Sequence, residues 1–230
     1  MADNIARVLA DVTAADPARP LLTWYDDASG ERTELSGATL TNWVAKTANM
    51  LVDEIGAGPG ESAGVLLPPH WQTAAVLLGC WSAGLTVTEG PAPVEVLFAA
   101  ADRIAEAQAW PSGERYALAL APFALPLREV PAGFADYVLA VRAHGDHFTP
   151  YPRGGPQDAQ LLGRAAARAT QLGIAHGDRV LLDAATHPDP VDWLLAPLTA
   201  GATIVLCGNL DPARVAARVA TEKVTRDLAS

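Results

Sequence analysis

The pattern that most constrains the fold is a strand–helix–strand unit within Leu172–Cys207. Val180–Leu182 is a short apolar run with the length of a buried strand, and Asp189 followed by Pro190 is a preferred start for a helix. After that helix, Ala202–Cys207 is an almost continuous apolar run, which is typical of a strand covered on both faces. Two strands joined through a helix pair in parallel with a right-handed crossover, so this unit predicts a parallel sheet.

The same unit occurs a second time in the chain. A shift of 117 positions aligns Thr39–Gly90 with Pro156–Cys207 without a gap. The aligned identities include Ala48/Ala165, Gly56/Gly173, Gly60/Gly177, Leu77/Leu194, Leu78/Leu195, Ala83/Ala200, Gly84/Gly201 and Thr86/Thr203. Two long copies indicate a duplicated α/β half, since a solenoid needs three or more shorter repeats. The alternative is that two unrelated units share glycines where helices and strands end.

Strands that alternate with helices predict an α/β fold with mostly parallel sheets and helices on both faces. We expect a single domain over residues 1–230, made of a first α/β half (1–144) that carries an N-terminal hairpin and a second half (145–230). The predicted strands are Leu21–Tyr25 and Arg32–Leu35 of the hairpin, then Ser62–Leu67, Leu85–Thr88, Val94–Ala99, Arg115–Leu120, Val180–Leu182, Ala202–Cys207 and Lys223–Leu228. The predicted helices, besides the one after Asp189, are Asn4–Ala15, Asn42–Ile55, Trp71–Ala83, Ala101–Ala109, Phe134–Ala143, Gln157–Leu172 and Pro212–Thr221.

Composition and charge exclude several classes of function. The net charge is −10 without any run of Lys or Arg, which argues against nucleic-acid and anionic-membrane partners. Cys80 and Cys207 lie in apolar surroundings and match neither a disulfide framework nor a metal motif, which favours a reducing, cytoplasmic location. The N-terminus is amphipathic rather than a signal peptide, and no apolar run has the length of a membrane span. A serine-hydrolase elbow and a dinucleotide-binding fingerprint are both missing from the sequence.

Two long segments resemble the opening of the AMP-forming acyl-CoA synthetase and adenylation-domain family. They read LLTWYDDASGERTELSGATLTNWVAKTANML and GAGPGESAGVLLPPHWQTAAVLLGCWSAGLTV. The second copy, GDRVLLDAATHPDPVDWLLAPLTAGATIVL, and the closing EKVT at Glu222–Thr225 are similar to a later part of the same N-terminal domain. The resemblance covers most of Leu21–Val87 and Gln157–Thr225. It implies a shortened member of the AMP-dependent synthetase and ligase superfamily, similar to only part of that domain.

The resemblance fails where the family carries its phosphate loop, which is rich in Ser, Thr and Gly and ends in Pro-Lys. Gly145–Pro156, GDHFTPYPRGGP, stands there, without lysine and with Thr149 as its one Ser or Thr residue. Such loops hold phosphates through several amide donors and a lysine charge. The departure predicts a non-catalytic binding or interaction module that has no cofactor and pairs with a protein partner or a second copy. The alternatives are the acyl- or nucleotide-binding part of a split ligase, which would bind ATP, AMP or CoA, and a vestigial structural protein.

No residue is predicted to be catalytic, and the candidate ligand-binding residues fall in two places. Those of the loop, which could meet a phosphate or carboxylate above the sheet, are His147, Tyr151, Arg153, Gly154 and Gly155. His187 follows the second-copy strand, where the resemblance implies a residue that lines an acyl pocket. The alternatives are that the loop is a surface connection and that His187 only precedes a helix cap. His144 and His147 have no third ligand at a diagnostic spacing, so no metal site is predicted.

Overall fold

The computed structural model describes residues 4–88 and 90–229 and has an α/β fold with two five-stranded sheets. The strands are β1 (Pro20–Asp26), β2 (Glu31–Ser36), β3 (Ser62–Leu66), β4 (Thr86–Thr88), β5 (Val94–Ala100), β6 (Ser112–Leu118), β7 (Ala135–Asp136), β8 (Arg179–Asp183), β9 (Thr203–Gly208) and β10 (Arg226–Asp227). The helices are α1 (Ile5–Ala14), α2 (Gly37–Asn49), α3 (Trp71–Ser82), α4 (Ile104–Ala107), α5 (Tyr137–Arg142), α6 (Asp158–Leu172), α7 (Ala196–Ala200) and α8 (Pro212–Glu222). π-Helical turns at Met50–Ile55 and Val191–Leu195 extend α2 and precede α7.

The first sheet has the order β10-β8-β9-β1-β2 and is parallel except for the β1–β2 hairpin. Gly30 closes the hairpin with a positive φ of 76°, and its N–H donates to the Asp26 carbonyl at 2.8 Å. β1 pairs with β9 in the register Leu22↔Ile204, so both strands are enclosed within the sheet. The continuous apolar pattern of Ala202–Cys207 follows from that position, because all residues of β9 are buried.

The second sheet has the order β4-β3-β5-β6-β7 and is parallel throughout. β5 lies near its centre and is buried from Val96 to Ala100. On one face, Leu66, Leu97 and Trp110 belong to a buried apolar cluster. The two sheets together confirm the predicted fold class.

Residue contacts divide the chain into two compact units, and neither is continuous in sequence. Among the described residues, the first unit contains 4–40, 69–71 and 159–229, and the second contains 41–68, 72–88 and 90–158. This division differs from the expected halves 1–144 and 145–230. The difference arises because the hairpin pairs with β9 of the second copy, which no local pattern encodes.

The two strand–helix–strand units match one another in backbone detail at the offset of 117 residues. β3 pairs with β4 in the register Ser62↔Thr86, and β8 pairs with β9 in the equivalent register Arg179↔Thr203. The Thr86 N–H donates to the Glu61 carbonyl at 2.9 Å, as the Thr203 N–H does to the Asp178 carbonyl at 2.8 Å. Three aligned glycine pairs share a positive φ: 77° and 64° at Gly56/Gly173, 97° and 83° at Gly60/Gly177, and 78° and 75° at Gly84/Gly201.

The bounds of several elements differ from the prediction for local reasons. α2 begins at Gly37 rather than at residue 42, because the Ser36 hydroxyl accepts the Thr39 N–H at 3.1 Å and acts as a cap. The helix predicted at 134–143 begins only after Asp136, whose carboxylate accepts the Leu139 N–H at 2.9 Å. The helix predicted at 101–109 is reduced to a 3₁₀ turn followed by the single turn of α4. No described helix combines the length and the apolar character that a membrane crossing requires.

Candidate functional site

The loop Gly145–Pro156 lies in the second unit and is attached to it at both ends. The Asn49 side-chain amide donates to the carbonyls of Gly145 at 2.8 Å and His147 at 2.9 Å. At the far end, the Gln157 side chain accepts the Val87 N–H at 3.0 Å and donates to the Val87 carbonyl at 3.1 Å. Because β4 is an edge strand, this amide pairs with the sheet as a short additional strand would.

The candidate side chains of this loop differ in their exposure and in their contacts with the rest of the protein. His147 is exposed and is held through its backbone carbonyl. The ring of Tyr151 is 36% exposed and lies edge-on to Phe148, with 6.5 Å between ring centroids. Arg153 is exposed, and its guanidinium makes no hydrogen bond or ion pair within residues 4–88 and 90–229. Arg153 therefore presents the free cation of the loop.

The two candidate glycines of the loop, Gly154 and Gly155, are partly buried, and the packing around Gly155 leaves little room for a side chain. A Cβ atom on Gly155 would lie 3.1 Å from the Asp158 carboxylate and 3.3 Å from the Gly84 carbonyl. The loop backbone thus packs directly on the turn that ends α3. Gly154 is half-buried beside it.

His144, the other histidine near the start of the loop, is held by contacts with Glu54 and Lys46. Its Nε2 atom lies 2.7 Å from a Glu54 carboxylate oxygen, and its carbonyl accepts the Lys46 ammonium at 2.5 Å. Within the described part of the chain, no cluster of three or more His, Cys, Asp or Glu side chains is placed to hold a metal ion.

His187 lies in the first unit, at the turn after β8. It is 9% exposed, its N–H donates to the Asp183 carbonyl at 3.0 Å, and its Nδ1 atom lies 3.0 Å from the Thr186 hydroxyl. Asp189 caps the following turn as predicted, because its carboxylate accepts the Val191 N–H at 2.8 Å. His187 therefore belongs to a different unit from the loop candidates.

His70 is a second buried histidine of the first unit. It is 3% exposed and its ring lies edge-on to Trp24, with 4.7 Å between centroids. Burial lowers the pKa of His70 to about 3, although the Asp26 carboxylate acts in the opposite direction. This imidazole is neutral at physiological pH and suits a packing role.

A buried polar network around Glu222 in the first unit was not expected from the sequence. The Glu222 carboxylate accepts the Tyr25 hydroxyl at 2.5 Å, the Arg32 guanidinium at 2.9 Å and the Arg179 guanidinium. Burial alone raises the pKa of Glu222, but hydrogen bonds from Tyr25, Arg179 and Arg32 outweigh it and lower the pKa. Tyr25 and Glu222 are 197 positions apart, so no spacing rule brings them together.

A buried ion pair lies beside this network. The Arg218 guanidinium bonds both carboxylate oxygens of Asp27, at 2.6 and 3.2 Å, and lies 4.2 Å from the centroid of the Tyr25 ring. The side chains of Arg218 and Asp27 are 6% and 4% exposed. We assign this pair a structural role, because each buried charge is compensated by the other and would be destabilising alone.

Comparison with known proteins shows what the chain is similar to. A family model described as AMP-binding enzyme matches residues 9–91. An acyl-CoA synthetase from Brucella canis matches 97% of this chain and 46% of its own length, with a TM-score of 0.76 and 19% identity. The acetoacetyl-CoA synthetase from Streptomyces lividans matches 91% of this chain and 39% of its own length, with a TM-score of 0.71 and 19% identity.

The N-terminal domain of FACL13 from Mycobacterium tuberculosis matches 97% of this chain and 62% of its own length, with a TM-score of 0.65 and 16% identity. These matches confirm the resemblance to part of the N-terminal domain of AMP-forming synthetases. The chain spans less than half of the two synthetases named above. At these identities the likeness establishes the fold.

A relative of similar length gives the family. It is a TIGR03089 family protein from Mycobacterium tuberculosis, 47% identical over 233 residues. The alignment covers 96% of this chain and 96% of that protein. Because the identity extends over nearly all of both chains, the protein belongs to the TIGR03089 family.

Proposed function

We propose that the protein is a non-catalytic binding or interaction module that has the fold of an adenylate-forming enzyme but does not adenylate a substrate. The observation that carries the proposal is the segment Gly145–Pro156, which has no lysine and a single Ser or Thr where the AMP-forming synthetases that the chain resembles have their phosphate loop. An acyl-phosphate transition state would gain little stabilisation from it, because charge stabilisation needs several fixed donors.

The contacts of this segment support the same proposal. Asn49 and Gln157 tie its two ends, and Gly155 packs on the Gly84 carbonyl. A loop anchored in this way serves as a fixed connection, whereas a phosphate cradle directs its amides toward the ligand.

A pyrophosphate-release assay with Mg-ATP and a panel of carboxylic acids tests the proposal, with a full-length acyl-CoA synthetase as positive control. We expect no release above buffer. Calorimetric titration with ATP and with an acyl-adenylate analogue gives the second measurement, and saturable turnover of any acid would refute the proposal.

A second function, the nucleotide- or acyl-binding part of a split ligase, is favoured by one feature. The guanidinium of Arg153 is exposed and uncommitted beside Gly154 and Gly155, so it could hold a phosphate of ATP, AMP or CoA. Arg153→Gln would then abolish binding of these ligands without lowering Tm. Arg7→Gln, at an exposed arginine of α1, is the matched control, and equal ATP affinity in both variants would exclude this function.

We further propose that the two strand–helix–strand units arose by duplication, and that the protein acts in the cytoplasm with a protein partner or a second copy. The matching hydrogen bonds of Thr86 and Thr203 support the first point, and two buried, unpaired cysteines support the second. Light scattering on the purified protein tests self-association, and a concentration-independent monomer mass would leave only a different partner.

A further inference from the structure

A cleft in the second unit lies at the carboxyl ends of β5 and β6, away from the loop Gly145–Pro156 in sequence. It has a volume of about 660 Å³ and lies beside Ala101, which follows β5, and Ala119, which follows β6. Ligands of parallel α/β sheets bind outside the carboxyl ends of the strands. The volume lies within the range of roughly 300–1,000 Å³ that small-molecule sites occupy.

The lining of the cleft is apolar with one exception. Its residues are Ala101, Ala119, Ala121, Pro122, Leu125, Pro126, Leu127 and Arg128. Arg128 is the single charged residue among them, and it is exposed. Within the described part of the chain its guanidinium makes no hydrogen bond or ion pair. An apolar pocket with one free cation at its edge matches a ligand that has an apolar body and one negative group.

The segment that walls the cleft is held in an unusual backbone conformation. Leu120, Phe123 and Ala124 have positive φ values of 50°, 60° and 48°, which side chains with a Cβ rarely adopt. The Leu127 N–H donates to the buried Asp136 carboxylate at 2.6 Å, and the Arg142 guanidinium donates to the Ala124 carbonyl at 2.9 Å.

Asp136 and Arg142 thus anchor the wall at Leu127 and Ala124 from outside the lining of the cleft. Strained conformations persist only where the surroundings enforce them, and they concentrate at ligand sites. The same wall leaves apolar surface in solvent, since Phe123 is 87% and Leu125 is 54% exposed. A ligand seated in the cleft would cover part of that surface.

We propose that this cleft binds a small amphiphilic organic anion, whose apolar body lies against Leu125 and Ala119 and whose negative group pairs with Arg128. The site is independent of Arg153 and of any nucleotide. It therefore requires neither adenylation nor the function proposed above.

The test uses the full chain, labelled with ¹⁵N, and a matched pair of probes: naphthalene-2-sulfonate and the neutral naphthalene-2-sulfonamide. We expect saturable chemical-shift changes at residues 119–128 with both probes, and tighter binding of the sulfonate. Arg128→Gln should weaken sulfonate binding by about tenfold, as expected for one charge-assisted hydrogen bond, and leave sulfonamide binding within about twofold.

Two further variants keep the result interpretable. Leu125→Asp should weaken both probes, and because this side chain is half exposed the variant should stay folded, as circular dichroism will show. Arg153→Gln should change neither affinity. Equal affinity of the wild type for the two probes, the absence of shift changes at the cleft (Ala101 and residues 119–128), or an unchanged sulfonate affinity in Arg128→Gln would each overturn the proposal.

Discussion

The loss of the buried ion pair between Asp27 and Arg218 should lower the free energy of unfolding by an amount that can be calculated. Replacing Asp27 by Asn keeps the shape of the side chain but removes its charge and leaves the Arg218 guanidinium, whose side chain is 6% exposed, without compensation. Both carboxylate oxygens accept hydrogen bonds, one from the Asp211 N–H at 2.8 Å and the other from Arg218 Nη2 at 2.6 Å, so the single amide oxygen of Asn leaves one of these donors without its acceptor. The substitution therefore removes the charge together with one hydrogen-bond acceptor.

Two independent estimates of the loss agree. A pair of unit charges about 4 Å apart interacts by about 4 kcal/mol at an effective dielectric constant of about 20. Removal of one partner from a buried pair destabilises proteins by about 3–5 kcal/mol. We expect Asp27→Asn to lower the free energy of unfolding by that amount. For a chain of this length, the corresponding fall in Tm is about 6–20 °C.

Urea unfolding followed by circular dichroism measures the change, and two variants serve as controls. Arg214→Gln removes the exposed second partner of Asp27, at 3.3 Å with a side chain 56% exposed, and should cost less than about 1 kcal/mol. Asp27→Asn combined with Arg218→Met removes both charges and should recover most of the loss.

Acid gives a second signature of the same pair. Burial alone raises the pKa of Asp27, but hydrogen bonds from Arg218 and Asp211 outweigh it and lower the pKa. The contribution of the carboxylate to stability is therefore present above its unfolded pKa of 3.8 and is lost as the pH falls through the folded value. Asp27→Asn should be the less acid-sensitive protein. A loss below about 1 kcal/mol at pH 7 would refute this account of the pair.

Three further predictions concern other positions. The difference in free energy of unfolding between the wild type and Glu222→Gln should shrink as the pH falls below 4.5, the ordinary pKa of a glutamate, because the pKa of Glu222 is lowered in the folded state. Urea titrations at pH 7 and pH 4 measure this difference. Gly84→Ala should lower the free energy of unfolding by at least about 1–2 kcal/mol, because the φ of Gly84 is +78° and a Cβ atom would lie 3.0 Å from Pro59. Gly163→Ala, at an exposed and open position of α6, should instead raise the free energy of unfolding by about 0.5–1 kcal/mol. Burial raises the pKa of Cys80 to about 12 and that of Cys207 to about 11, so mass spectrometry should find both thiols unmodified by iodoacetamide at pH 8 in native protein and alkylated in urea.

The structure confirms the predicted elements where the determining chemistry is local. Gly84 and Gly201 end their helices in the left-handed conformation, as glycine readily does, and Asp189 caps the turn that follows it. The continuous apolar strands and the repeat at an offset of 117 residues could also be predicted from the order of residue types alone. The matching registers of Ser62↔Thr86 and Arg179↔Thr203 agree with that local reasoning.

The candidate ligand residues could be named from the sequence, but their environments could not. Arg153 is exposed with a free guanidinium, whereas His187 is largely buried. The sequence around these residues does not predict this difference in exposure. The positive φ values of Leu120 and Phe123 were also hidden, because neither residue type favours that conformation. The contacts that hold the neighbouring Leu127 N–H and Ala124 carbonyl, made by Asp136 and Arg142, were equally hidden.

Short-range patterns were therefore sufficient to predict the fold class, the strand–helix–strand units and their caps, since each depends on neighbours within a few turns of the chain. The folded structure was needed to show which strands share a sheet. It placed the N-terminal hairpin beside β9 and brought Asp27 to Arg218 across 191 positions. The physical reason is that strand pairing and buried charge compensation join residues distant in the chain, and their energies depend on burial, which exists only once the chain has folded.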